Sequence, residues 1–180
     1  MNILKSVTLM FVIIITLSIK SVWAEISPKE MEQDIKQSLG KIVNYSNAFT
    51  DLINSGELEM YDEIYTRGLS GIARECVHTL EHLHDLLTIY DNTVCETDKL
   101  MASRFLQRYA QIWLTLADSF LKRVNQKITK INHAAIIPIA NQLKSDISDI
   151  EAKLRSLAKE IRKRLMDYTS RKIEEQRSKP

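Results

Sequence analysis

An all-α chain, folded as an elongated antiparallel helical bundle of four main helices and one short one, is predicted by three observations. Apolar residues recur at three- and four-residue steps over long stretches, and no run alternates apolar with polar as a half-buried strand does. Only four glycines and three prolines are spread over 180 residues, so little interrupts a helix. The strictest spacing comes last, which predicts a long coiled-coil-like C-terminal helix.

The first 24 residues stand apart. Lys5 gives a positive start, Val7 to Ile19 is almost wholly apolar, and Val22-Trp23-Ala24 ends on the small residue that signal peptidase accepts. The apolar stretch falls short of the ~20 residues a membrane-spanning helix needs, and Lys20 interrupts it. Residues 1–24 therefore read as a cleaved secretory signal, residues 25–173 as one helical bundle domain, and residues 174–180 as a frayed polar tail. Export through the secretory pathway, to a periplasmic or extracellular location, follows as an expectation.

Ser27-Pro28-Lys29-Glu30 reads as an N-cap, a proline at the first helical position and a glutamate closing a capping box. The first helix carries Met31, Ile35, Ser38, Ile42, Tyr45, Phe49 and Leu52 on one seam, and Asn54-Ser55-Gly56 ends it. Residues 57–67 are predicted as the short helix, with Leu58, Tyr61, Ile64 and Tyr65 inward, before Gly68 and Gly71 mark a new start. The next helix runs from about Ser70 to Tyr90 on the stripe Leu69, Ala73, Cys76, Leu80, Leu83, Leu87 and Tyr90, with Asp91-Asn92 as its stop.

Thr97 or Asp98 is expected to cap the following helix. Its predicted inward set is Phe105, Tyr109, Ile112, Leu116, Phe120, Val124, Ile128 and Ile131, with Trp113 beside it. Pro138 cannot donate an interior helix bond, so a break is placed between residues 132 and 138. Ala140, Leu143, Ile147, Ile150, Leu154, Leu157 and Ile161 then keep a strict three-four spacing, the period of left-handed packing. Asp149/Lys153, Glu151/Arg155, Glu160/Arg164 and Asp167/Arg171 stand four residues apart and can pair along this helix.

Charge is divided along the chain. Residues 25–99 hold 15 acidic against 6 basic side chains, and residues 100–180 hold 8 against 17. The two halves are expected to neutralise each other across the folded bundle, within a Debye length of ~8 Å. The basic residues Lys153, Arg155, Lys159, Arg162, Lys163, Arg171 and Lys172 form a candidate surface for an anionic membrane or lipid. They lack the interleaved aromatics of a single-strand nucleic-acid platform, and export makes that partner improbable.

His78-Thr79-Leu80-Glu81-His82 has the H-x-x-E-H spacing of inverted zinc peptidases, with Glu75 and Asp85 one turn away on either side. Two histidines four apart on a helix can grip one zinc ion, so Glu75, His78, His82 and Asp85 form a candidate surface metal site. At 100° per residue the cluster points away from the apolar stripe, and the rest of a peptidase domain has no counterpart. A catalytic assignment is therefore not made, and no cofactor beyond that surface zinc is implied.

Cys76 and Cys95 are the only thiols and thus the disulfide candidate of an exported chain. If the helix carrying Cys76 continues to Tyr90, that thiol lies ~21 Å below the helix end. The five residues after Tyr90 then cannot return Cys95 to the ~6 Å a bridge requires. The reading that follows is a non-enzymatic bundle acting through protein–protein contact, as an adaptor, chaperone-like clamp or secreted effector, or through self-association of its long last helix.

Overall fold

The computed structural model describes residues 28–177, so the expected signal segment 1–24 lies outside the described residues. Four helices account for nearly all of that stretch: α1 (Pro28–Asn54), α2 (Met60–Asn92), α3 (Glu96–Ile128) and α4 (Ile136–Arg177). Among the described residues there is no strand.

Each helix ends for a local reason. Gly56 adopts φ 70, the left-handed conformation that lets the chain leave α1, while Ser55 N–H donates to the Asp51 carbonyl at 3.0 Å. At the end of α2 the Thr93 hydroxyl and the Asn92 side-chain amide donate to the carbonyls of Ile89 and Thr88, and Thr93 itself turns extended. Between α3 and α4 the connection spans residues 129–135, and Pro138 falls in the first turn of α4, where its missing N–H costs nothing.

Side-chain pairs fix the topology. Glu32 of α1 receives the Thr88 hydroxyl of α2 at 2.9 Å, so the start of α1 lies beside the end of α2. Lys153 of α4 pairs with Asp34 at 2.7 Å, and Lys41 with Asp146 at 3.1 Å, so α1 and α4 are antiparallel too. Arg123 of α3 reaches Glu75 of α2 at 2.7 Å, and Lys99 sits 5.1 Å over the Tyr90 ring, which sets α2 against α3 in the same sense. The helices thus form a four-cornered bundle in which each packs on its neighbours in the chain, α4 closes back onto α1, and α1 and α3 stand on a diagonal.

The core runs the length of these seams. Ile35, Ile42, Phe49, Leu80, Leu87, Leu106, Trp113, Leu143 and Leu154 are wholly buried, each worth about 1.5–3 kcal/mol for an aliphatic side chain and more for the tryptophan. The expected seam of the last helix is fully present: Ala140, Leu143, Ile147, Ile150, Leu154, Leu157 and Ile161 are all buried. Of its expected acid–base pairs, Glu151/Arg155 and Glu160/Arg164 form, whereas Lys153 crosses to Asp34 instead of pairing with Asp149. The helix continues past Glu174 to Arg177.

Three expectations need correction. No separate short helix spans residues 57–67, because α2 runs unbroken from Met60 through Gly68 and Gly71 to Asn92. Tertiary packing of the seam outweighs the ~1 kcal/mol that each interior glycine costs. Tyr61 and Ile64, expected inward, are 66% and 54% exposed, and Asp62 and Thr66 hold the inward positions instead. Stepping back from Leu69 by three and four residues reaches Thr66 and Asp62, so the seam continues through polar residues.

The phase of α3 is the third correction. Phe105 and Ile112 are 50% and 43% exposed, while Leu106, Ala110, Trp113, Ala117, Phe120 and Val124 face the core. Rotating the helix to this phase buries Trp113, the largest fully buried side chain, together with Ala102, Ala110 and Ala117. The cost is a second apolar stripe left at the surface.

Candidate interaction surface

That second stripe is Met101, Phe105, Tyr109, Ile112 and Leu116, spaced by four, four, three and four residues along α3. At 100° per residue it lies roughly 110° round the helix from the core stripe, on the side of α2. The contacts locate it: the Tyr109 ring is 6.4 Å from the His82 ring, and Arg123, on the same side of α3, pairs with Glu75. On α2 the neighbouring outward residues are Glu75, His78, His82, Asp85 and Ile89, the last 56% exposed. The outer face of α2 and α3 therefore carries an apolar strip from one helix beside the polar quartet of the other.

The structure puts the predicted metal-site residues on one face, and three of the four have a charged or histidine side chain within 4 Å. Glu75 receives two hydrogen bonds from the Arg123 guanidinium, which that carboxylate holds above its ordinary pKa. His78 Nδ1 lies 3.4 Å from Glu81, and Asp85 lies 3.8 Å from His84. Among the described residues no three metal-capable side chains converge. Cys76 sits on the opposite, buried side of α2, and burial pushes its thiol far above the usual range. Cys95 is exposed at the N-cap of α3, and both cysteines are free. The ~24 Å of helix from Cys76 to Asn92 at the end of α2 holds the two thiols apart.

The basic residues of α4 are largely engaged. Lys153 pairs with Asp34, Arg155 with Glu151, and Lys172 stands 5.8 Å over the Tyr168 ring. Arg164 donates to Glu160 and to the Tyr90 hydroxyl, and the Glu160 carboxylate raises its pKa. Lys163 also has a partner. Lys159, Arg162 and Arg171 remain exposed. No helix among the described residues is long and apolar enough to cross a membrane.

No family model, curated protein or solved structure matches this chain. The surface must therefore be read from its own chemistry. Depressions beside it are shallow and open to solvent: one of about 410 Å³ is lined by Arg104, Gln107, Arg108, Gln111, Ile112 and Thr115.

Several organising side-chain ties escaped the sequence reading. Asp62, 5% exposed, accepts the Asn132 backbone N–H at 2.9 Å and so ties the α3–α4 connection to the start of α2. Tyr45 donates to Asp146 at 2.6 Å, and burial together with that bond pushes its phenol up to about 12. Glu32 links His84 and Thr88 to α1. Asp62 was detectable by extending the Leu69 seam backward, whereas Tyr45 and Glu32 depend on the rotation of one helix against another, which no single-helix pattern encodes.

Proposed function

We propose that the protein is an exported, non-enzymatic helical-bundle protein that works by protein–protein contact, with the outer face of α2 and α3 as its docking surface. The observation that carries this reading is the half-exposed stripe of Met101, Phe105 and Ile112 beside Ile89. Single exposed apolar side chains are ordinary, but a periodic strip along a helix is what a partner covers. Arg104 and Arg108 flank it, and arginine with aromatic side chains is the composition that dominates binding energy at interfaces. Export is supported by the signal-like character of residues 1–24. The three-four spacing of α4 supports an elongated bundle with coiled-coil-like packing along that helix.

A photoreactive amino acid placed at Phe105 tests the reading in cells that make the protein. Irradiation is expected to give discrete adducts from position 105 and none from the solvent-facing position Lys36 of α1. Identical adduct patterns at the two positions would overturn it.

A further inference from the structure

We propose that the occupant of the α2–α3 face is a second copy of this chain, packed about a two-fold axis parallel to the helices, so that α2 of one protomer lies over α3 of its partner. This rests on the reading of that face as a docking surface and names its partner.

Charge and height along the bundle carry the assignment. The contacts of Tyr109 with His82 and of Lys99 with Tyr90 fix the antiparallel register of α2 and α3. In that register Ile89 stands level with Met101, and Asp85 stands within one turn of Phe105 and Arg108. A rotation about an axis parallel to the helices leaves height unchanged. Ile89 of one protomer then meets Met101 and Phe105 of the other, and Asp85 meets Arg108, twice over by symmetry. An axis across the helices would instead lay α3 on α3 and α2 on α2, so that Asp85 would face no arginine of the partner's α3.

The charges on this face are available for such a pairing. Arg104 and Arg108 are exposed and make no ion pair among the described residues, and the Asp85 carboxylate, 74% exposed, has only the 3.8 Å approach of His84. The extent suffices as well. Two adjacent helices about 50 Å long and together about 20 Å wide offer on the order of 1,000 Å², above the ~800 Å² per partner of a stable interface. Covering the face removes the apolar stripe from water and surrounds it with ion pairs at its edge.

The proposed axis places the two α2–α3 connections side by side at one end of the dimer. Cys95, exposed at that connection, would stand about 13 Å from its copy, the diagonal of four helices packed 8–10 Å apart. The other thiol, Cys76, is buried.

Sedimentation equilibrium of the untagged protein is the first arm of the test. A dimer is expected, with Asp85→Arg and Arg108→Asp each raising its dissociation constant at least tenfold, about 1.4 kcal/mol, and the double variant restoring it. A flexible bismaleimide is expected to join two copies through Cys95, and Cys95→Ser to abolish the product. A monomer throughout, or a dimer indifferent to both charge reversals, would overturn the proposal, as would failure of the Cys95 cross-link in a dimer. The two readings separate cleanly: a monomer that still gives discrete adducts from position 105 loses only the second copy as occupant, whereas a monomer with indiscriminate adducts loses the docking surface itself.

Discussion

Glycine-to-alanine substitutions at positions 40, 56 and 71 are expected to differ in sign, because only one of the three glycines uses a conformation alanine resists. Gly71 lies inside α2 with ordinary helical φ, and a Cβ there would meet nothing within 4 Å; the same holds for Gly40 in α1. Alanine at either site removes unfolded-state freedom without a clash, which stabilises by about 0.5–1 kcal/mol. For a chain of this size that raises Tm by about 1–4 °C. Gly56 has φ 70, where an L side chain costs roughly 1–2 kcal/mol, so Gly56→Ala should lower Tm by a similar or larger margin despite the open space around it. Gly68→Ala is intermediate, since a Cβ there displaces the end of the Lys127 side chain, which is free to swing away. Thermal unfolding followed by far-ultraviolet circular dichroism reads all four. A fall in Tm for Gly71→Ala would refute the continuous α2 and restore a break before the long segment of that helix.

The remaining predictions address packing, the inter-helix tie and the tyrosine. In urea unfolding of the dissociated chain, Phe120→Ala should cost about 3–5 kcal/mol and Phe105→Ala under about 1 kcal/mol, and the reverse order would reinstate the outward phase of α3 as its core. Asp62→Ala should cost about 1–3 kcal/mol by leaving the Asn132 N–H without its acceptor, and an unchanged midpoint would show that water replaces the carboxylate. Tyr45 has a folded pKa raised to about 12 above the ordinary 10, so its contribution to stability is present below pH 10 and is lost as the pH rises through 12. Ultraviolet titration should show one late-ionising phenol that Tyr45→Phe removes; a titration unchanged by that substitution would sink the assignment.

What the sequence disclosed and what it concealed divide along a physical line. The ends of helices depend on nearby residues, and Pro28, Gly56, Asn92 and Pro138 marked them within a few positions of where the structure has them. The seam of α4 was legible because it is the only apolar stripe that helix has. In α3 two stripes compete, and the choice between Phe105 with Ile112 and Leu106 with Trp113 is settled by what fits between α2 and α4, which spacing alone does not express. Asp62 and Thr66 were hidden for a related reason: a polar residue on a seam looks like the end of the seam, although a buried carboxylate is tolerated when it finds a donor such as the Asn132 N–H. The polar quartet on α2 was correctly placed on one outward face, but the claim of Arg123 on Glu75 required the position of another helix.

The division of charge along the chain gains its meaning from these pairings. An acidic first half and a basic second half suggest either an external anionic partner or internal neutralisation, and Lys153 with Asp34 and Arg123 with Glu75 are of the second kind, joining α4 to α1 and α3 to α2. Exposed pairs of this sort contribute little each, ~0–1 kcal/mol, so their main effect is on register, favouring one rotation of the helices over its neighbours. Charges engaged in that way are removed from the pool that can recognise a partner. Asp85 on α2 and Arg104 and Arg108 on α3 are not so engaged with one another, although they stand on the same face and at nearly the same height. A face with an apolar strip along its length, acid on one helix and base on the other is complementary to itself only after a half-turn about the helix direction. The same helical phase that buries Trp113 leaves that strip outside, so the packing of the core and the chemistry of the outer face have a single cause.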